Sequence, residues 1–113
     1  MTASNRELLE KAAKAAGIEG AYFHSDNPIH CGIYQARGEY YWNPLISDSE
    51  ALRLAVKLRM SIDYREDGTV NAEIYHPTRM STLVFEPLGD DPAAATRLAI
   101  VRAAAAMEGG SDA

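Results

Sequence analysis

The stretch Met60-Ser61-Ile62-Asp63-Tyr64-Arg65-Glu66-Asp67-Gly68-Thr69-Val70-Asn71-Ala72-Glu73-Ile74-Tyr75 decides the fold. Met60, Ile62 and Tyr64 alternate with Ser61, Asp63 and Arg65, and Val70, Ala72 and Ile74 alternate with Asn71, Glu73 and Tyr75. Period-two alternation on both sides of a turn signal is the pattern of a β-hairpin with one apolar face. A two-residue turn at Asp67-Gly68 would set Tyr64 against Asn71 and Ile62 against Glu73, mixing apolar and polar side chains on each face. A three-residue loop, Glu66-Asp67-Gly68, pairs Tyr64 with Val70, Ile62 with Ala72 and Met60 with Ile74, and both faces become uniform. It also puts Gly68 where a type I turn followed by a bulge needs a left-handed residue. The longer loop is therefore expected.

Working outward, each helix carries its own start signal. Ser4 with Glu7 makes a capping box, followed by a stripe of Leu8, Leu9, Ala12, Ala13 and Ala16 and a stop at Gly17. Glu7–Lys11 and Glu10–Lys14 are favourable i,i+4 pairs on the opposite side. Pro44 breaks the chain before a second helix, which Ser47 or Asp48 caps and Ser47-Glu50 boxes. From Ala51 to Leu58 only Arg53 and Lys57 are polar, so this helix is expected to be mostly buried. Asp90-Asp91 before Pro92 caps a third helix running to about Met107, with Ala94, Leu98 and Val101 as its contact stripe. Gly109-Gly110 ends it, and residues 111–113 form a frayed tail.

Two or three further short strands are expected between Gly20 and Trp42, besides the hairpin and the run Thr82–Glu86, in which Leu83 and Phe85 share a face. The candidates are Ala21–His24, Ile29–Gln35 and Glu39–Trp42, with turns at Ser25-Asp26-Asn27-Pro28 and Arg37-Gly38. Pro77 closes the second hairpin strand. The order is α-β-β-(β)-α-β-β-β-α. It implies an α+β fold: a mainly antiparallel sheet of four to six strands with three helices, as a two-layer or partial α/β/α sandwich. The apolar hairpin face is assigned to the second and third helices. The face with Ser61, Asp63, Arg65, Asn71, Glu73 and Tyr75 is open or partly covered by the first helix.

Bulk properties are consistent with this architecture. The 113 residues suit one domain, 1–110, and 47% hydrophobic against 24% charged residues is ordinary for a globular chain. The net charge of −5 works against nucleic acid and anionic membranes. Arg53, Lys57 and Arg59 form only a small basic edge, read as a solvated helix face. A single cysteine, Cys31, excludes an internal disulfide and fits a reducing cytoplasm. The segment Met1–Asn5 carries no apolar signal region, and no stretch is long enough to cross a bilayer.

Three segments resemble uncharacterised proteins of tailed phages and prophages, related to the group described as phage α-β-α sandwich domains. They are Trp42-Asn43-Pro44-Leu45 with Ala51-Leu52-Arg53-Leu54-Ala55-Val56-Lys57-Leu58, the run from Asp91-Pro92 to Ala103-Ala104, and Leu8-Leu9-Glu10-Lys11 to Ile18-Glu19. The resemblance covers both ends and the centre and is thin over 21–35 and 76–85. In relatives the resemblance leads one to expect a more acidic lead-in to the second helix, where this chain has Ser47-Asp48-Ser49-Glu50, a change that keeps the cap. The resemblance implies a fold and a phage origin, and it carries over no catalytic residue.

For chemistry, His24, His30 and Cys31 match no common zinc spacing, and neighbours on a strand point to opposite faces. They are read as a semi-buried thiol and two surface histidines, with no metal and no cofactor. Asp63 and Glu73 share a hairpin face with Arg65 and Tyr75, which suits acid–base work but more commonly makes a solvated charge ladder. Tyr40-Tyr41-Trp42 is an aromatic cluster in which Trp42 packs under the second helix and Tyr41 faces the surface. Arg79, with His76, sits in the loop Pro77-Thr78-Arg79-Met80-Ser81, where an arginine could hold a phosphate but an ordinary solvent-exposed loop is the commoner reading. Tyr41, Asp63, Arg65, Glu73, Tyr75, His76 and Arg79 are thus the candidate binding surface, and Trp42, Pro44, Gly68 and Pro92 the fold determinants. The leading expectation is a non-catalytic accessory protein that binds a host or phage protein, such as a defence component. A nucleotide-type ligand held by the aromatic cluster with Arg79 or Arg37 is the alternative, and an enzyme ranks last. A homodimer through an uncovered edge or face stays open.

Overall fold

A computed structural model describes residues 4–110 of the chain. The expected frayed tail, 111–113, and the first three residues lie outside them. Alanines make one helix the centre of the molecule. In α3 (Pro92–Gly110), Ala99, Val101, Ala103 and Ala104 are fully buried. Their small side chains let neighbours approach from several directions at short interaxial distance. Ala99 and Ala103 meet the inner face of one sheet, while Ile100, Val101, Ala104 and Ala105 join a second cluster with the other two helices. The expected single stripe is therefore too narrow: Val101 is buried, but Ala94 and Leu98 are only half-buried. The helix starts as expected, with Asp91 Oδ1 accepting from the Ala94 N–H at 3.0 Å and Pro92 in the first turn. It continues through Gly109-Gly110 instead of stopping before them.

The first helix, α1 (Asn5–Ala16), follows its signals closely. Ser4 Oγ accepts from the Glu7 N–H at 3.1 Å, Gly17 closes the helix, and the five residues of the apolar stripe are all buried. On its outer side Glu10 pairs with Arg6 at 3.3 Å instead of Lys14. This helix packs on α3, and also on β1 (Ala21–Phe23) and β2 (Gly32–Gln35). With β3 (Tyr40–Trp42) these strands form a separate antiparallel sheet in the order β1-β2-β3. The second sheet is β4 (Ser61–Tyr64), β5 (Thr69–Ile74) and β6 (Thr82–Pro87), also antiparallel and in sequence order. The strands thus make two three-stranded sheets, not one continuous sheet. Packing runs from β4-β5-β6 to α3, to α1 and then to β1-β2-β3, so the helices lie inside and the sheets outside. The α/β/α layering is inverted because α3 is apolar on several sides and needs cover on each.

The hairpin adopts the three-residue loop. Tyr64 pairs with Val70 and Ile62 with Ala72. Arg65 N–H donates to Thr69 O at 2.8 Å, and Gly68 sits at φ +88°. Val70, Ala72 and Ile74 are buried. Met60 does not pair with Ile74; its N–H bonds back to Ala55 O at 2.9 Å, so it belongs to the exit from the preceding helix. That helix, α2 (Asp48–Lys57), buries only Ala51, Leu54 and Ala55. Leu52 and Val56 are 64% and 68% exposed, contrary to the expected burial. The reason is position: α3 alone covers β5 and β6, and α2 packs against α3 at the margin. Ser47 caps α2 as expected, but Glu50 leaves the box and accepts from the Asn43 N–H at 2.7 Å, tying the helix to the end of β3.

The first sheet departs most from expectation. Pro28–His30 is a short 3-10 turn, so the strand begins at Gly32 and not at Ile29. Asn27 causes this: its Oδ1 accepts from the Ile29 N–H at 3.2 Å, and Pro28 supplies a turn-compatible φ. Gly32 sits at φ +127° against the next strand, where a Cβ would collide with the Trp42 carbonyl oxygen. Only glycine allows that approach.

Candidate functional site

The residues singled out from sequence separate onto two surfaces. On the outer face of β4-β5-β6, Asp63 lies opposite Asn71, and Glu73 lies between Ser61 and Leu83. Arg65 places its guanidinium 5.8 Å from the centre of the Phe85 ring and 3.8 Å from Asp67. The first helix is on the far side of α3, so this face points outward. Leu83 and Phe85 do share a face, and it is this outer one, each about half exposed. Val84 and Glu86 turn inward, where Glu86 is buried and paired with Arg102 of α3. The outer face is thus polar on β4 and β5 and apolar along β6. Tyr75 stands 75% exposed at its end. His76 is held by Thr82 Oγ1 at 2.9 Å, while Arg79 is exposed in the loop beyond.

In the hairpin loop, Asp67 Oδ1 accepts from Thr69 Oγ1 at 2.6 Å and from the Thr69 N–H at 3.1 Å. These bonds, the hydroxyl first, hold the Asp67 carboxyl below its ordinary range.

Tyr41 belongs to the other sheet. Strand alternation sends Trp42 inward, 4% exposed, and Tyr41 outward. Pro44 just beyond is fully buried. Tyr41 lies directly across from Tyr34, with ring centres 5.1 Å apart. Phe23 meets Tyr34 edge-on at 6.0 Å and Tyr41 at 6.5 Å, and His30 lies 5.6 Å from Tyr41. Four rings from β1, β2, β3 and the 3-10 turn thus form one platform, with Phe23 51% exposed. Phe23, His30 and Tyr34 are absent from the sequence-based set. The outward parity of Phe23 and Tyr34 was legible, but joining them to Tyr41 needed the strand register, which alternation over three residues does not set, and His30 arrives through the 3-10 turn.

Cys31 is half-buried, as expected. Its Sγ accepts from the Ser25 N–H at 3.2 Å and donates to Ser25 O at 3.0 Å. His24 Nδ1 is 3.9 Å from that sulfur, whereas His30 turns to the platform. Among the described residues no three His, Cys, Asp or Glu side chains gather at one point. Nor is any described helix long and apolar enough to cross a membrane.

A groove of about 610 Å³ opens where α2 sits at the margin of α3. Ala51 and Ala55 of α2, Ile62 of β4, and Ala93 and Ile100 of α3 line its length. Its polar groups are few and fixed. Arg97 Nε donates to Leu45 O at 2.8 Å and Nη1 to Asp48 Oδ1 at 2.6 Å. Tyr64 and Thr96 join their hydroxyls at 2.8 Å. Sequence reasoning missed this groove because it arises from the spacing of three elements.

Compared with known protein families, with curated proteins and with solved structures, the chain shows no significant match.

Proposed function

We propose that the chain is a non-catalytic binding protein of phage or prophage accessory type, which grips a host protein through the aromatic outer face of β1-β2-β3. The observation that carries this reading is the outward cluster of Phe23, His30, Tyr34 and Tyr41, with ring centres 5.1–6.5 Å apart. Rings braced against one another on strands are pre-ordered, so burying them under a partner costs little side-chain entropy. Tyrosine in particular supplies contact area and a hydroxyl for the rim of an interface. The phage assignment rests on the resemblance of the α1, α2 and α3 segments.

A photo-crosslinking amino acid at Tyr34 tests the reading in host cells. It should give a discrete crosslinked species, and Tyr41→Ala should weaken binding of the captured partner by about 2 kcal/mol. Asp63→Ala, on the other sheet, should leave binding unchanged. A crosslink from Asp63 with none from Tyr34 would transfer the function to the β4-β5-β6 face and defeat the proposal.

A further inference from the structure

We infer that the groove between α2, α3 and β4 is a binding site for a medium-chain alkyl monocarboxylate, distinct from the aromatic platform. Its volume, about 610 Å³, is that of a small-molecule site, and its lining is apolar along Ala51, Ala55, Ile62 and Ile100. What selects a carboxylate is Arg97. Its side chain is only 18% exposed, whereas Asp48, its partner, is 78% exposed. The cation is therefore largely withdrawn from water, and the anion that balances it is not. A charge in the less solvated position exerts the stronger pull on a ligand.

Arg97 is also held in place at the groove. Nε and Nη1 are held by Leu45 O and Asp48 Oδ1, and a guanidinium carries five N–H donors, so others remain for a ligand oxygen. At the Tyr64 side the polarity is opposite. Thr96 Oγ1 gives its proton to Pro92 O at 2.8 Å, so in the 2.8 Å contact with Tyr64 the phenol must be the donor. Tyr64 thus presents lone pairs only, and a carboxylate is directed away from it and towards Arg97. The alkyl chain then lies over the alanines, where the absence of larger side chains leaves the room.

The test is a titration of the intact chain, followed by backbone amide NMR, with decanoate, 1-decanol and decyltrimethylammonium as separate probes. Decanoate should saturate with a dissociation constant near 100 μM, about what a dozen-atom ligand reaches in an open groove. The shifts should centre on Ala55, Ile62, Ala93 and Arg97. Decanol should bind about tenfold more weakly, since it forfeits the charge-assisted bonds. Asp48→Asn frees the guanidinium and leaves the Ser47 cap in place, so it should tighten decanoate about threefold. Ala93→Trp fills the groove from an exposed position and should abolish the shifts while the remaining spectrum stays folded. The proposal is overturned if decanol or the ammonium probe binds as tightly as decanoate. It is equally overturned if the shifts map to the aromatic platform, or if none appear by about 1 mM, beyond any useful affinity. Failure here leaves the protein-binding reading standing, because that reading uses Phe23, His30, Tyr34 and Tyr41, none of which lines the groove.

Discussion

The two sheets are of equal strand number and similar connection, yet different physics holds each in register. In β4-β5-β6 the buried side chains alternate without interruption: Val70, Ala72 and Ile74 on the central strand, with Val84 beside them. A slip by one residue would expose that whole set and bury Asn71 and Glu73, so hydrophobic burial sets the pairing. In β1-β2-β3 both faces carry rings, Tyr22 and Trp42 inward, Phe23, Tyr34 and Tyr41 outward. Burial discriminates poorly between such registers. Specific close contacts do so instead: Gly32 against the Trp42 carbonyl, Asn43 Nδ2 donating to Cys31 O at 3.2 Å, and Gln35 Nε2 donating to Glu19 O at 2.5 Å. A sheet held in this way can keep aromatic groups on its outer face.

The contrast can be broken most directly at its glycines. Gly32→Ala places a Cβ into the Trp42 carbonyl and the Asn43 side chain at a positive φ. Strain and overpacking together should cost about 4 kcal/mol, a large share of the stability of such a domain. Urea unfolding followed by far-UV circular dichroism reads this as a lowered midpoint at unchanged slope. A loss below about 1 kcal/mol would mean that β2 and β3 are not held by close approach.

Gly68→Ala is the matched change in the other sheet. Its φ is +88°, but nothing lies within 4 Å of the added Cβ. Only the left-handed conformation opposes alanine there, so the expected loss is about 1 kcal/mol. The same unfolding measurement sets the two glycines side by side. Equal losses would erase the distinction between a register held by contacts and one held by burial.

The smallest effect concerns the loop that carries Gly68. Bonds from Thr69 lower the Asp67 pKa in the folded state. A depressed carboxyl contributes stability above its unfolded pKa, and that contribution disappears as pH falls through the folded pKa. The window thus lies at and below the ordinary aspartate range. Thr69→Val removes the hydroxyl, so the Asp67 carboxyl carbon should titrate at higher pH in an NMR titration. An unmoved titration would show that the hydroxyl bond contributes nothing to the hairpin loop.

Much of this architecture was legible because local chemistry and tertiary contact agreed. Ser4, Ser47 and Asp91 cap the helices they precede, the α1 stripe is buried, and the hairpin register is the one that both faces require. The site was legible only in part. Tyr41 was placed outward by strand parity, but its partners Phe23, Tyr34 and His30 come from three other segments. The hairpin carboxylates, chosen for their shared face, lie on a different sheet from Tyr41. Leu52 and Val56 misled for a definite reason: composition reports that a helix is apolar, not that its neighbours reach round it.

From the chain alone came the α+β class, the element order, the caps and the pairing of Ile62 with Ala72 and Tyr64 with Val70 across the hairpin, all governed by interactions between residues near in sequence. The tertiary structure alone decided that the strands divide into two sheets with the helices between them, that four rings meet on one outer face, and that a groove opens beside Arg97. Each of these depends on how closely distant backbones approach, which here is set by alanines in α3 and by Gly32, residues whose effect lies in the space they leave for others.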